Sequence, residues 1–140
     1  MIIYTIGFTK KSLEEFINLL KKNKIQKIID IRLNNSSQLS GFAKGNDLRY
    51  ILKSTGIGYE YVKELAPDKS IFKKYMQDKD WDIYQKRFNE LMKKRNGKEI
   101  LSDLLKDRKT TCLLCSEDTA DKCHRRLVAE LLKSVEIVHL

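Results

Sequence analysis

Residues 113–126 read LLCSEDTADKCHRR. An apolar run ends at Cys115, an acidic loop with Glu117, Asp118 and Asp121 follows, and Cys123, His124, Arg125 and Arg126 open a helix-like stretch. The pattern predicts a strand over Thr110 to Cys115. It predicts a helix capped by Asp121, with Leu127, Val128, Leu131 and Leu132 on its buried face. A strand handing over to a helix is the unit from which parallel sheets are built, and open α/β proteins bind ligands at such junctions. Thiol, carboxylate, imidazole and guanidinium groups are concentrated at this one.

Working outward, the same alternation recurs. Ile2 to Ile6 reads as a strand ended by Gly7. Ser12 and Glu15 form a capping box for a helix with Leu13, Phe16, Ile17 and Leu20 on one face, running to about Lys22. Lys27 to Ile31 is a second strand, closing on Asp30-Ile31-Arg32. The polar loop Leu33 to Asn46, holding Ser36, Ser37, Ser40, Gly41 and Gly45, is long for a connection, and long loops in compact domains are often functional. Asp47 is read as the cap of a helix carrying Leu48, Ile51 and Leu52, and Gly56 as its stop. Ile57 to Val62 is a third strand. Two helices follow Pro67, the second with Trp81, Tyr84, Phe88, Leu91 and Met92 in register and Gly97 as its end. A short helix carries Ile100, Leu101, Leu104 and Leu105, and Val135 to His139 is a closing strand. The order β-α-β-α-β-α-α-α-β-α-β implies a single α/β domain over residues 1–140. Its sheet is Rossmann-like, mainly parallel and five-stranded, with helices on both faces.

Bulk properties agree. The chain has 140 residues, 41% hydrophobic and 34% charged, with a single proline, which suits one soluble globular core. A formal charge of +9, from 28 Lys+Arg against 19 Asp+Glu, favours anionic partners such as nucleotides or nucleic acid. The lysines are scattered, which equally fits a solvated basic surface. No segment approaches a membrane span, and MIIYTIGF lacks the charged leader of a signal peptide. Three cysteines suggest no disulfide framework, so reduced thiols in a cytoplasmic protein are expected.

In a parallel sheet the strand C-termini share one rim, and four of the five strands end there in small, charged or reactive residues: Gly7-Phe8-Thr9, Asp30-Ile31-Arg32, Cys115-Ser116-Glu117 and His139. Asp30 and Arg32 project to the same face, either as an ion pair or as an anion-binding arginine with an orienting carboxylate. Cys112 and Cys115 form a C-x-x-C, but residues three apart on a strand face opposite ways, so Cys112 reads as a small buried hydrophobe. Cys115, Cys123, His124 and His139 make a conceivable zinc set, although adjacent Cys-His is poor chelating geometry and no standard ligand spacing is matched. Cys123 beside Arg125 and Arg126 would be an acidic thiol if reached by solvent and inert if buried. Glu117 is the best general acid or base, or else a partner of the arginines.

Taken together, Tyr4 to Thr9, Asp30-Ile31-Arg32, Gly41-Phe42, Leu113 to Glu117, Cys123 to Arg126 and Val138-His139-Leu140 resemble the domain-of-unknown-function family 488 along essentially the whole chain. The resemblance implies a Rossmann-like fold. It marks Gly7, Asp30, Arg32, Phe42, Cys115, Glu117, Cys123, His124 and Arg125 as signature positions without assigning an activity, with suggested links to nucleic-acid modification or repair. Leu33-Asn34-Asn35 and Leu65-Ala66-Pro67 stand where many members have a proline and a Leu-Gly-Gly, which sets the chain in a sub-branch.

Three readings follow. In the first, an enzyme or enzyme-like domain binds a phosphate-bearing ligand at the rim. Gly7, Thr9, Arg32, Phe42, His124 and Arg125 contact the ligand, Asp30, Glu117, Cys115 and Cys123 carry the chemistry, and the loop from Ser36 to Gly45 covers it. Alanine at Arg32 or Arg125 would then weaken binding without unfolding the protein. In the second, a non-catalytic module binds nucleic acid through lysines and Tyr50, Tyr59 and Tyr61. In the third, Cys115, Cys123 and His124 serve a thiol or a metal. The residues name no cofactor and leave the oligomeric state open.

Overall fold

A computed structural model describes residues 1–36 and 38–140; Ser37, which the sequence places in the long polar loop, lies outside the described residues. Among these, eleven main elements alternate in the expected order: β1 (Ile2–Gly7), α1 (Leu13–Lys22), β2 (Lys27–Asp30), α2 (Gly45–Ser54), β3 (Gly58–Tyr61), α3 (Lys69–Asp78), α4 (Trp81–Arg95), α5 (Gly97–Leu104), β4 (Thr111–Cys115), α6 (His124–Ala129) and β5 (Glu136–His139). The strands form one sheet in the order β3-β2-β4-β1-β5. Every pairing is parallel, with Asp30 opposite Leu114 and Gly7 opposite Cys115. This is a Rossmann-like α/β architecture. No described helix is long and apolar enough to cross a membrane.

The pleat sorts side chains to two faces. Ile6, Ile28, Cys112 and Leu114 pack with Phe16 and Leu20 of α1 and Leu48 and Leu52 of α2. Ile3, Ile29 and Leu113 pack with Phe88 and Met92 of α4, Leu101 of α5 and Leu127 and Val128 of α6. β2 leads through α2 to β3 at one edge, whereas β4 leads through α6 to β5 at the other. The chain thus leaves two neighbouring strands in opposite directions, over opposite faces. Such a switch point opens a crevice outside the strand C-termini.

Local details differ from expectation at three helix ends. α2 begins at Gly45, with Lys44 as N-cap and Asp47 inside the first turn, because the Gly45 amide donates back to the Asn35 carbonyl (2.6 Å) and fixes the entry earlier. α4 ends at Asn96, whose left-handed backbone (φ 58°) makes the turn; Gly97 instead opens α5, where a Cβ would lie 2.8 Å from Met92 Sδ. α6 begins at His124 with Cys123, not Asp121, as its N-cap. The long loop is not structureless: a 3-10 stretch over Gln38–Ala43 is broken at Gly41, where φ is 57°. Asp68 and Asp80 cap α3 and α4 through the amides of Ile71 and Ile83, a signal available in the sequence.

Phe88 has no exposed surface and its ring lies 5.6 Å from the His124 ring, between the α4 layer and the site. Phe88→Ala is expected to lower unfolding stability by about 3–5 kcal/mol in a urea titration.

Candidate functional site

Two buried networks and one cavity lie at the rim. The first network is built on β2. Arg32 donates from Nε to Asp30 Oδ1 (2.8 Å) and from Nη2 to Asp30 Oδ2 (2.7 Å), a two-pronged ion pair that is almost wholly buried. Nη2 also donates to the Ala43 carbonyl (2.7 Å), tying down the end of the long loop. Tyr59 of β3 donates its hydroxyl to Asp30 Oδ2 (2.5 Å) and accepts from Asn35 Nδ2 (3.1 Å). Burial and the hydrogen bond to the Asp30 carboxylate push the Tyr59 phenol up to about 12. One guanidinium nitrogen, Arg32 Nη1, is buried with no hydrogen-bond partner among the described residues; the guanidinium carbon lies 5.3 Å from the Phe8 ring centre.

The second network is built on the β4–α6 loop. Arg125 is fully buried. It donates from Nε to Thr5 Oγ1 (3.2 Å), from Nη1 to the Glu117 carbonyl and to Cys123 Sγ (3.7 Å), and from Nη2 to the Asp118 carbonyl (3.3 Å). These are uncharged acceptors or a thiol, so the cation has no carboxylate partner. Thr5 in turn is bonded to His139 Nδ1 (2.6 Å). Thr5 thus links the Arg125 guanidinium to the His139 ring, with a hydroxyl that can accept from the one and donate to the other. Burial and repulsion from Arg125 hold the His139 imidazole below its usual range, in keeping with a neutral acceptor. Gly7 is needed here for internal reasons: a Cβ would land on the Glu117 carbonyl and 2.9 Å from Arg125 Nη1.

Between the networks, Cys115, Cys123 and His124 converge, all buried, with one potential ligand atom from each within 4.8 Å of the others. His124 Nε2 lies 2.6 Å from the Ile31 carbonyl, which fixes the proton on Nε2 and turns the Nδ1 lone pair toward Cys115 Sγ at 3.5 Å. Cys123 and His124 are adjacent, yet both reach Cys115. The chain passes between them from extended backbone at Cys123 (φ −135°, ψ 139°) into the first helical residue. The Cys115 thiol is held below its usual range by a hydrogen bond from Cys123, by backbone amides and by Arg125. Cys123, the donor, is pushed well up by that bond and by burial. Cys112 faces the α1–α2 layer and burial pushes its thiol up, as expected of an inert hydrophobe.

A cavity of about 250 Å³ opens onto this cluster. Its floor is Cys115, Ser116, Cys123 and His124; Arg32, Leu33 and Asn34 enter from β2; Pro67, Phe72, Tyr75, Met76 and Tyr84 form an apolar and aromatic wall; Lys79, Lys122 and Glu117 stand at its edge. Glu117 is exposed and makes no ion pair among the described residues.

The residues singled out by sequence therefore divide. Arg32, Cys115, Glu117, Cys123 and His124 line the cavity. Asp30 is spent on Arg32 and Tyr59, on the α1–α2 side of the sheet. Arg125 lies behind the thiols, not in the cavity. Thr9 clamps the Ser116 carbonyl through its amide (3.1 Å) and hydroxyl (2.5 Å). Phe42 packs on Phe16, 5.5 Å between ring centres. His139 joins Thr5 and stands apart from the Cys-Cys-His group. Among the described residues, the loop ties to the Asp30 network through Ala43 and Asn35, and Leu33 and Asn34 line the cavity; Ser37, part of the stretch expected to cover the ligand, lies outside the described residues. Tyr59 and Tyr61 turn their hydroxyls inward, to Asp30 and the Leu33 carbonyl, so of the three tyrosines only Tyr50 is left outward. The aromatic wall from α3 and α4 was not anticipated, since its periodicity reads equally as core.

The fold and rim define the class: a doubly wound parallel α/β protein whose switch point carries buried thiol, imidazole and guanidinium groups beside a cavity. The family described as Domain of unknown function DUF488 matches residues 12–132 of the 140-residue chain, and the chain belongs to that family. Neither the curated proteins nor the solved structures contain a match to it.

Both arginines belong to buried networks, so alanine at either is expected to cost stability as well as any binding. Arg32→Ala strands the Asp30 carboxylate and is expected to cost about 3–5 kcal/mol of stability, measured by chemical denaturation. Tyr59 keeps its proton longer when folded than its ordinary value near 10 allows, so the unfolded chain holds fewer protons between pH 10 and about 12. Its contribution is full below pH 10 and falls as pH rises through that window. Tyr59→Phe is expected to make stability fall less steeply between pH 10 and 12 than in the wild type, read from urea midpoints.

Proposed function

We propose that this protein is an enzyme-like domain that takes a phosphate-bearing ligand, of nucleotide or nucleic-acid class, in the cavity at the β2/β4 switch point. The observation that carries this reading is Arg32 Nη1, a buried guanidinium donor without a partner on a residue that lines the cavity. A donor of that kind costs free energy unless an acceptor reaches it. An anionic oxygen is the acceptor best matched to it. Lys79 and Lys122 reinforce the preference: with Arg32 paired to Asp30, the cavity lining still holds two lysines against one carboxylate, Glu117. The aromatic lining of Phe72, Tyr75 and Tyr84 offers ring surface against which a nucleobase can stack. Cys115 and Glu117 then stand at the reacting end, Glu117 free to move a proton and Cys115 at the floor beside His124.

The test is a thermal-shift and calorimetric comparison of nucleoside monophosphates with the matching nucleosides and with inorganic phosphate. Because alanine at Arg32 is expected to cost stability, the variants are Lys79→Ala/Lys122→Ala and Phe72→Ala, all at exposed positions. Wild type is expected to be stabilised by the monophosphates, by about 2.7 kcal/mol when ligand is at 100 times Kd. The lysine pair is expected to weaken phosphate-dependent binding about tenfold, and Phe72→Ala to weaken discrimination for the base. Absence of stabilisation by every phosphate compound at millimolar concentration would remove the reading.

A further inference from the structure

The geometry points to a metal site at Cys115, Cys123 and His124: a thiolate–thiolate–imidazole set for one divalent cation of the zinc class, with the fourth position facing the cavity. The sequence alone disfavours it, because adjacent Cys-His residues in a regular element cannot close on one ion. Here the break between extended and helical backbone at Cys123 removes that objection.

Three observations support the site. First, the ligand atoms are already near the spacing that a tetrahedral ion imposes. Zn–S bonds near 2.3 Å and Zn–N bonds near 2.0 Å place S and N about 3.5 Å apart. Cys115 Sγ and His124 Nδ1 are 3.5 Å apart, and the three ligand atoms all lie within 4.8 Å of one another. Second, His124 has the outer contact that metal-bound imidazoles use. Its Nε2–H is held by the Ile31 carbonyl at 2.6 Å, which leaves Nδ1 as the ligand and fixes the ring. Cys123 Sγ likewise accepts from Arg125 Nη1 (3.7 Å), a contact suited to a thiolate. Third, thiolate and imidazole donors without a carboxylate select zinc-class cations over magnesium or calcium. On binding, two S–H bonds give way to two metal–sulfur bonds and two protons pass to solvent. No oxidant or reductant is required.

Three protein ligands and an open position are the arrangement of catalytic rather than structural zinc sites. The open side faces the cavity where Glu117 and Arg32 stand. A ligand oxygen or a water held there meets a Lewis acid on one side and the guanidinium on the other. The metal inference stands on the cluster alone and does not require the phosphate reading.

The experiment uses the full chain, reduced and stripped of metal with a chelator, titrated anaerobically with Co(II) and then Zn(II). Expected is one cobalt per chain, with sulfur-to-cobalt charge-transfer absorption and the intense visible bands of tetrahedral cobalt, all displaced by an equal amount of zinc. Zinc is also expected to protect two of the three thiols from a thiol reagent. Cys115→Ser and His124→Ala should lose stoichiometric binding, whereas Cys112→Ala keeps it. If a variant fails to fold, the wild-type spectrum and thiol count still decide. Weak octahedral cobalt bands, or three thiols reacting alike with and without zinc, would overturn the site. Metal binding without nucleotide binding leaves this inference standing and removes the proposed function; the converse result does the reverse.

Discussion

The rim of this protein depends on the burial of Arg125. A guanidinium taken out of water without a carboxylate would be prohibitively costly unless nearly every donor were satisfied. The chain meets that demand by bending the β4–α6 loop so that the carbonyls of Glu117 and Asp118 point back at the cation, while Thr5 of β1 takes Nε. Everything nearby follows. Gly7 has no side chain because the Glu117 carbonyl occupies that space. Thr9 and Lys11 hold the outside of the same loop, through the Ser116 carbonyl and Asp118 (3.5 Å). α6 starts late, at His124, because the preceding residues are committed to the loop.

That arrangement sets the chemistry of the thiols. A positive charge lies behind Cys123, and the Cys123 sulfur joins the Thr5 hydroxyl and the Glu117 and Asp118 carbonyls in accepting from it. Burial alone would make both thiols inert, as it does Cys112; Cys115 departs from this because a donor thiol, backbone amides and the cation all converge on it. The Asp30–Arg32–Tyr59 network does the complementary work across the switch point. It neutralises its own charge, holds the long loop through Ala43 and Asn35, and leaves one guanidinium nitrogen over. The cavity lies between a network with a spare donor and a network with a polarised sulfur.

The layout of the sheet was legible because its causes are local. Period-two apolar runs, the Ser12–Glu15 capping box and the helical spacing in α4 and α6 each declare an element, and their alternation leaves few topologies open. Cys112 was legible as a buried residue from strand parity alone. The caps at Asp47 and Asp121 were misread because an acidic residue before a helical run is a good local candidate, whereas α2 enters at Gly45, held by the Asn35 carbonyl, and Cys123 takes the cap position of α6. The internal contacts of Gly7, Thr9 and Phe42 lay beyond the same limit. Each touches a residue remote in sequence, so its spacing carries no sign of what it contacts.

By itself, the sequence determined the alternating α/β order, the parallel sheet and the concentration of reactive residues at strand ends, since these rest on periodicity and strand polarity. Only the tertiary structure decided how those residues divide: Asp30 to the α1–α2 side, Arg125 behind the thiols, His139 away from the cysteines, and Cys115, Cys123 and His124 together on the cavity floor. The physical reason is that burial and hydrogen bonding are satisfied between segments about 80 to 130 residues apart, as in the contacts of His124 with Ile31 and Arg125 with Thr5. The partner that satisfies a buried polar group is fixed by packing in three dimensions, and no local pattern encodes it.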